Sequence, residues 1–245
     1  MSHPGPGIGA FGFNAGLAPF DDVRVRRAFV LAIDRERYAR HVSEGRYAPA
    51  NGGYVPPGVP GHSPDIGLPY DPVAARQLLA QAGYPGGRGF PAVTLVVADL
   101  PNAIRDAQYL QARWREELGV NIHYEGRGAG DFGSGPGVAM PHLFFLGWVA
   151  DYPDPDNFLR VAILQYGGGW HDETYIRLVE EAKGLADQQA RLKLYRQADR
   201  ILIDEAALLP LLYGRVHMLV KPWIRLDRVS PTEYIFWKDV TIAPH

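Results

Sequence analysis

The sequence contains no cysteine. Disulfides, cysteine nucleophiles and thiolate metal sites are therefore excluded, while the compartment stays open, because chains on either side of a membrane manage without cysteine. Lysine is scarce, with four among 25 basic residues, and no function follows from that. Excess positive charge is missing as well. The 25 basic and 27 acidic residues leave a formal net charge of −2, so the electrostatic footprint of a nucleic-acid binder is absent. No run of about 18 apolar residues occurs, and no membrane-spanning helix is expected. The opening residues Met1 to Gly7 have neither a charged n-region nor an apolar h-region. They read as the leading end of a fragment rather than as a signal peptide.

Catalytic and cofactor signatures are equally scarce. The eight histidines are scattered, with no pair at i, i+4 and no H-E-x-x-H, which argues against a zinc site. Neither a G-x-S-x-G elbow nor a P-loop is found. Residues 126–137 contain G-x-G-x-x-G at Gly128, Gly130 and Gly133. A dinucleotide site needs a helix to begin directly afterwards, so that amides and dipole meet the pyrophosphate, and Ser134-Gly-Pro-Gly137 cannot start one. A flexible loop is the better reading. No metal, no cofactor and no catalytic residue is assigned.

What the chain does have is 245 residues at 47% hydrophobic content, enough for a substantial core in one large or two small domains. Residues 1–20, rich in Gly and Pro, are expected to be irregular up to Phe11–Asn14. Asp21 and Asp22 are candidate caps for one helix from Val23 to Arg40, whose apolar face is Val25, Ala28, Phe29, Ala32 and Ile33. Residues 45–72 read as a long irregular segment, followed by a helix from Pro72 to Ala82 that Gly83 stops. Strand Val93–Val97, helix Ala103–Leu118, the stop Gly119 and strand Val120–Tyr124 make a βαβ unit, so parallel pairing is expected. Helices follow over Asp172–Ala186 and Gln189–Asp204. Leu208–Tyr213, Val216–Val220, Tyr234–Trp237 and Val240–Ile242 read as extended segments.

At the centre lies Leu146 to Leu159. The apolar run Leu143–Trp148 reads as a buried strand that breaks into a turn with three carboxylates (Asp151, Asp154, Asp156) and two prolines (Pro153, Pro155). Polar chemistry at the end of a buried strand is where open α/β sheets present ligand sites, and a proline-stiffened surface turn with solvated acids is the alternative. A calcium loop fails, because positions five and six counted from Asp154 are Phe158 and Leu159.

The order of motifs resembles the second half of the family 5 extracellular solute-binding proteins, the peptide- and nickel-binding receptors of ABC importers. The resemblance rests on Phe13-Asn14 with Pro19 to Ala28, Ala32 to Arg35, and Tyr70-Asp71-Pro72 through Leu78-Leu79 to Ala82–Pro85. It continues through Gln111 to Val120, Trp148 to Phe158, and Ala198 to Pro210. It implies a periplasmic-binding-protein-like α/β lobe of the clamshell type (type II), with a mixed sheet flanked by helices and the N-terminal half of the full fold missing. On this reading residues 1–20 are an irregular hinge segment, 21–221 the ligand-binding lobe, and 222–245 a segment returning to the missing lobe.

By the same resemblance, Asp151, three residues after Trp148, pairs with the α-ammonium of a bound peptide. Trp148 supplies an apolar wall, and Tyr152 and Asn157 offer secondary polar contacts. Phe145 stands where some oligopeptide binders carry an arginine, which widens the ligand range to apolar or sugar-like molecules. The implied partners are a small-molecule or peptide ligand and an ABC-importer permease, with no nucleic acid bound directly. The implied location of the full-length protein is extracytoplasmic, periplasmic or as a cell-surface lipoprotein. Self-association through Tyr234, Phe236 and Trp237 is expected as well, because without the other lobe these aromatics lose their cover. Two alternatives stay open: a sensory domain of similar fold fused to a regulator, and a hydrolase using Asp151 and Asp154.

Overall fold

The computed structural model describes residues 2–128, 140–226 and 237–244. Its frame is one long strand, β1 (Ser2–Phe13), hydrogen-bonded on both sides. The elements that follow are α1 (Val23–Leu31), α2 (Arg35–His41), β2 (Ala48–Pro49), α3 (Pro72–Gln81), β3 (Thr94–Ala98), α4 (Pro101–Leu118) and β4 (His123–Arg127). After them come β5 (Leu143–Phe145), β6 (Trp148–Val149), a π-helical turn (Asn157–Ala162) and α5 (Ile163–Tyr166). The chain ends in α6 (Glu173–Gly184), α7 (Gln188–Asp204), β7 (Leu208–His217), β8 (Ile224–Leu226) and β9 (Val240–Ile242).

Among the described residues, seven strands form a mixed sheet in the order β2-β7-β1-β5-β3-β4, with β6 also paired to β1. The βαβ unit is parallel as its length requires, with β3 pairing β4 from Thr94–His123 to Ala98–Arg127. β1 runs antiparallel to β5, β6 and β7. Strand alternation divides the core between the two faces of the sheet. Phe11, Phe13, Leu95, Val97 and Leu143 join α1–α4 on one face, while Ile8, Ala10 and Phe144 join α6 and α7 on the other. The first core is largely aromatic: Trp114 is fully buried, donates from Nε1 to the Phe29 carbonyl at 2.9 Å, and packs its ring 4.9 Å from that of Phe29.

Local capping explains most helix boundaries. Asp22, Asp34, Asp71, Asp172 and Asp187 each accept a backbone N–H in the first turn of the helix that follows. Gly119 ends α4 in the left-handed region at φ 71°, which glycine adopts without steric cost.

Several expectations need correction. Residues 2–13 are not irregular: β1 gains its order from partners on both sides, which local propensity cannot register. The helix expected over 23–40 is two, because Asp34 caps a new start at Arg35. Leu143–Trp148 is interrupted at Leu146-Gly147, opposite an irregularity in β1 between Gly9 and Ala10. The second strand of the βαβ unit begins at His123 rather than Val120. Leu208–His217 is one strand rather than two, and Met218–Val220 lie outside it. The π-helical turn and α5 have no counterpart in the sequence reading. Of the Gly-rich stretch, Gly126 and Arg127 belong to β4, while residues 129–139 lie outside the described residues, as do Tyr234, Ile235 and Phe236.

Candidate functional site

The candidate residues come together at the end of β5 and β6. Gly147 sits between the two strands because Phe145 occupies the space a side chain would need: a Cβ there would lie 2.3 Å from the Phe145 ring. Phe145 stacks edge-on against Phe11 at 5.6 Å and remains 42% exposed. Beside it opens a cavity of about 460 Å³ lined by Phe144, Phe145, Leu146, Trp148, Gln165 and Tyr166 among others. The rings of Trp148 and Tyr166 lie 5.7 Å apart across one wall. Such a hollow, mostly apolar with a few polar edges, has the make-up of a small-ligand site.

Beyond Val149 the chain enters the acidic turn, and the structure sorts its three carboxylates. Asp154 accepts a fork from Arg191 on α7, with Nη1 at 2.5 Å and Nη2 at 2.8 Å. Asp156 is buried and accepts from Arg160 Nε at 2.7 Å and Nη2 at 2.6 Å, and from the hydroxyls of Tyr195 at 2.8 Å and Tyr152 at 2.9 Å. Burial works to raise the Asp156 carboxyl, but Arg160 and the two hydroxyls outweigh it and hold it below the usual carboxylate range. Asp151 is exposed, and among the described residues it has no cationic partner.

What holds Asp151 is Asn157. This amide is fully buried and bonds three ways: its Oδ1 accepts from Trp148 Nε1 at 2.7 Å and from the Asp151 backbone N–H at 3.1 Å, and its Nδ2 donates to Asp151 Oδ2 at 3.1 Å. Asn157 thus lies behind the surface and positions Trp148 and Asp151. Tyr152, 39% exposed, points its hydroxyl at Asp156 and leaves its ring at the surface. The prolines stiffen the turn, and Asp154 Oδ1 closes it by accepting the Asp156 N–H at 2.8 Å.

The sequence reading passed over Gln165, Tyr166, Arg160, Arg191 and Tyr195. The i, i+4 spacing of Asp156 and Arg160 was a usable signal. Arg191 and Tyr195 reach the turn from 37 and 39 residues away, and no local pattern announces them. The described residues hold no group of three His, Asp or Glu placed to bind a metal ion. None of their helices is long and apolar enough to cross a membrane.

Comparison with known proteins gives this geometry a context. Among curated proteins, the chain is 29% identical over 251 residues to Heme-binding protein A of Haemophilus influenzae, covering 99% of this chain and 46% of that protein. It is 28% identical over 255 residues to Di/tripeptide-binding protein 3 of Pseudomonas aeruginosa, covering 99% and 47%. Among solved structures, HbpA2 from Haemophilus parasuis aligns with a TM-score of 0.89 at 25% identity, over 100% of this chain and 50% of that one. The dipeptide binding protein from Pseudoalteromonas sp. SM9913, solved in complex with Met-Leu, aligns at 0.77 and 26% identity, over 99% and 50%. The chain therefore spans about half the length of the curated relatives it matches. A family profile described as "Bacterial extracellular solute-binding proteins, family 5 Middle" matches residues 1–169, well over half of the sequence. With that match and the shared α/β fold, the chain belongs to the family 5 bacterial extracellular solute-binding proteins.

Proposed function

We infer that this chain is the ligand-binding half of an extracytoplasmic receptor that captures short peptides without catalysis and delivers them to an ABC-importer permease. The observation that carries the reading is the sorting of the acidic turn. Asp154 and Asp156 are consumed by Arg191 and Arg160, while Asp151 is left exposed, oriented by the same buried amide that holds Trp148 of the apolar cavity's wall. An α-ammonium fits that carboxylate, and the first side chain of the peptide fits the cavity flanked by Trp148 and Phe145. A charged hydrogen bond of this kind contributes about 1.5–3 kcal/mol, which is roughly ten- to 150-fold in affinity. Relatives named as di/tripeptide- and dipeptide-binding proteins support this ligand class.

In this proposal residues 2–221, with β1 at the centre of the sheet rather than in a separate hinge, are the lobe that carries the site, and residues 222–245 serve contact with a second half or a second copy. Calorimetric titration with free-amine di- and tripeptides, their N-acetylated forms, and the Asp151→Asn variant tests it. Binding of free-amine peptides that acetylation and Asp151→Asn each weaken at least tenfold is expected. Equal affinity for acetylated peptides removes Asp151 as the anchor.

The lining of the cavity favours a second reading. Phe144, Phe145, Leu146, Trp148 and Tyr166 present a largely apolar, aromatic surface, and relatives include proteins named for heme and, as a probable ligand, deoxycholate. A flat apolar ligand would bind here independently of Asp151, so adding hemin and deoxycholate to the titration separates the two.

A further inference from the structure

We propose that the outer face of the α6–α7 pair is a docking surface for an anionic phospholipid bilayer. Between these helices runs a shallow, open groove of about 560 Å³, with Leu178 and Ile201 in its floor and Arg177, Lys193, Arg196 and Arg200 as its charged residues. Its other lining residues are Thr174 and Gln197, so no carboxylate contributes.

All four cations are exposed, and none makes an ion pair within 4.0 Å among the described residues. Some cations elsewhere find acids, Arg24 with Asp22, Arg27 with Glu205, Arg76 with Glu117 and Lys183 with Glu180, while others such as Arg37, Arg40 and Arg115 stand exposed without an ion pair among the described residues. What marks this groove is that four such cations converge with no acid in its lining. Beneath Arg200 lies Asp199, whose carboxylate faces inward and accepts the Tyr54 N–H at 2.8 Å.

The spacing adds to the case. Lys193, Arg196 and Arg200 stand at i, i+3 and i+7 on one side of α7, with Arg177 facing them from α6. Like charges at three- and four-residue spacings repel and disfavour the helix. An anion layer over the groove would reverse that penalty.

The shape selects the occupant. The groove is shallow and holds no buried polar group aimed outward, so it lacks the oriented donors that read one particular partner. A fluid surface needs no such reading, because its phosphates move to meet the cations. Three of the four are arginines, whose planar fork matches phosphate geometry. Orientation fits too. Arg191, Tyr195 and Asp199 form the stripe of α7 that packs toward the acidic turn and the core, and Lys193, Arg196 and Arg200 lie round the helix from it. Docking here leaves the cavity beside Trp148 uncovered, and the inference holds whatever occupies that cavity.

Each Lys or Arg at an anionic lipid surface raises partitioning roughly fivefold, so four give several hundred-fold, screened by salt. The test is co-sedimentation of the 245-residue chain with phosphatidylcholine vesicles, with and without phosphatidylglycerol, across a salt series. Expected is binding to the anionic vesicles alone, lost at high salt and reduced at least tenfold in the triple variant Arg177→Gln, Arg196→Gln, Arg200→Gln. A control variant, Arg37→Gln, Arg40→Gln, Arg115→Gln, removes the same charge from exposed positions elsewhere and should keep binding. Thermal melts of both variants check that the fold is intact. Equal loss in both variants means that net charge, not this face, binds lipid, and overturns the proposal. Absence of binding at low salt overturns it outright. Binding abolished by millimolar inorganic phosphate at constant ionic strength marks a discrete phosphate site instead, and retention on an acidic polypeptide column without vesicle binding marks a protein partner. Either result replaces the bilayer.

Discussion

Asn157 is the residue on which the candidate site depends most. It binds the indole of Trp148 and both the backbone and the carboxylate of Asp151 from a fully buried position. Asn157→Ala leaves the half-buried Trp148 N–H and the Asp151 N–H without their acceptor, and because water can reach these groups each loss is that of an ordinary hydrogen bond, about 0.5–1.5 kcal/mol. Denaturant unfolding should therefore show a loss of roughly 1–3 kcal/mol. On the proposed function, peptide affinity should fall although the Asn157 side chain is fully buried. Asp199 makes a different prediction. Fully buried on α7, with one carboxylate oxygen on the Tyr54 N–H and the other without a partner, it is pushed up to about 7 by burial, while that amide and Arg200 pull the other way. A folded-state value above the unfolded one means that the native state holds the proton more tightly. The stabilisation is then full below the unfolded value of 3.8 and is lost as pH rises through about 7. Chemical denaturation at pH 5 and pH 8 should find the chain less stable at pH 8, and Asp199→Asn should flatten that difference. An unchanged slope in the variant assigns the effect to other groups, with Asp106, also raised by burial, the first to examine.

Among the elements, α4 shows how tightly local and tertiary requirements can coincide. Its stop, Gly119, has φ of 71°, and a Cβ there would come within 2.5 Å of the Gly86 carbonyl oxygen. Gly119→Ala therefore meets both backbone strain and a clash, and should cost about 1–3 kcal/mol. For a chain of this length that is a fall in Tm of roughly 2–10 °C, checked by a thermal melt. The π-helical turn Asn157–Ala162 is the element that most affects the site. It begins at the residue that positions Asp151 and continues into the helix whose end supplies Tyr166 to the cavity. Wide turns of this kind often mark functional segments.

At the level of the whole molecule, the C-terminal part stands apart from the two cores. β8 and β9 pair with each other in a separate two-stranded sheet, and Leu219, Trp237 and Ile242 are 106%, 74% and 67% exposed. Exposed apolar side chains concentrated in one segment favour association. Light scattering over a concentration series should show a rise in mean mass that Trp237→Ser together with Ile242→Ser reduces. A constant monomer mass throughout removes this segment as a contact surface.

Most of the longer helices were legible in the chain because the forces that set them act within one turn, whereas the second start that Asp34 caps and the π-helical turn with α5 were not. Asp22, Asp71 and Asp172 cap from next to the helices they start, and the apolar periodicity of α4 and α7 marks the faces they bury. The parallel βαβ unit followed from its length, and the motif from Trp148 to Phe158 located the acidic turn. What that turn does was not legible. Which of its carboxylates stays available depends on Arg191 and Tyr195, brought in from α7, and on a buried amide six residues on from Asp151. The central strand β1 was hidden for the same reason. Its Gly- and Pro-rich residues have little strand propensity of their own, and their order comes from hydrogen bonds to segments more than 100 residues away. Local interactions can be read along a sequence, whereas charge pairing and sheet pairing between distant segments exist only once the chain has folded.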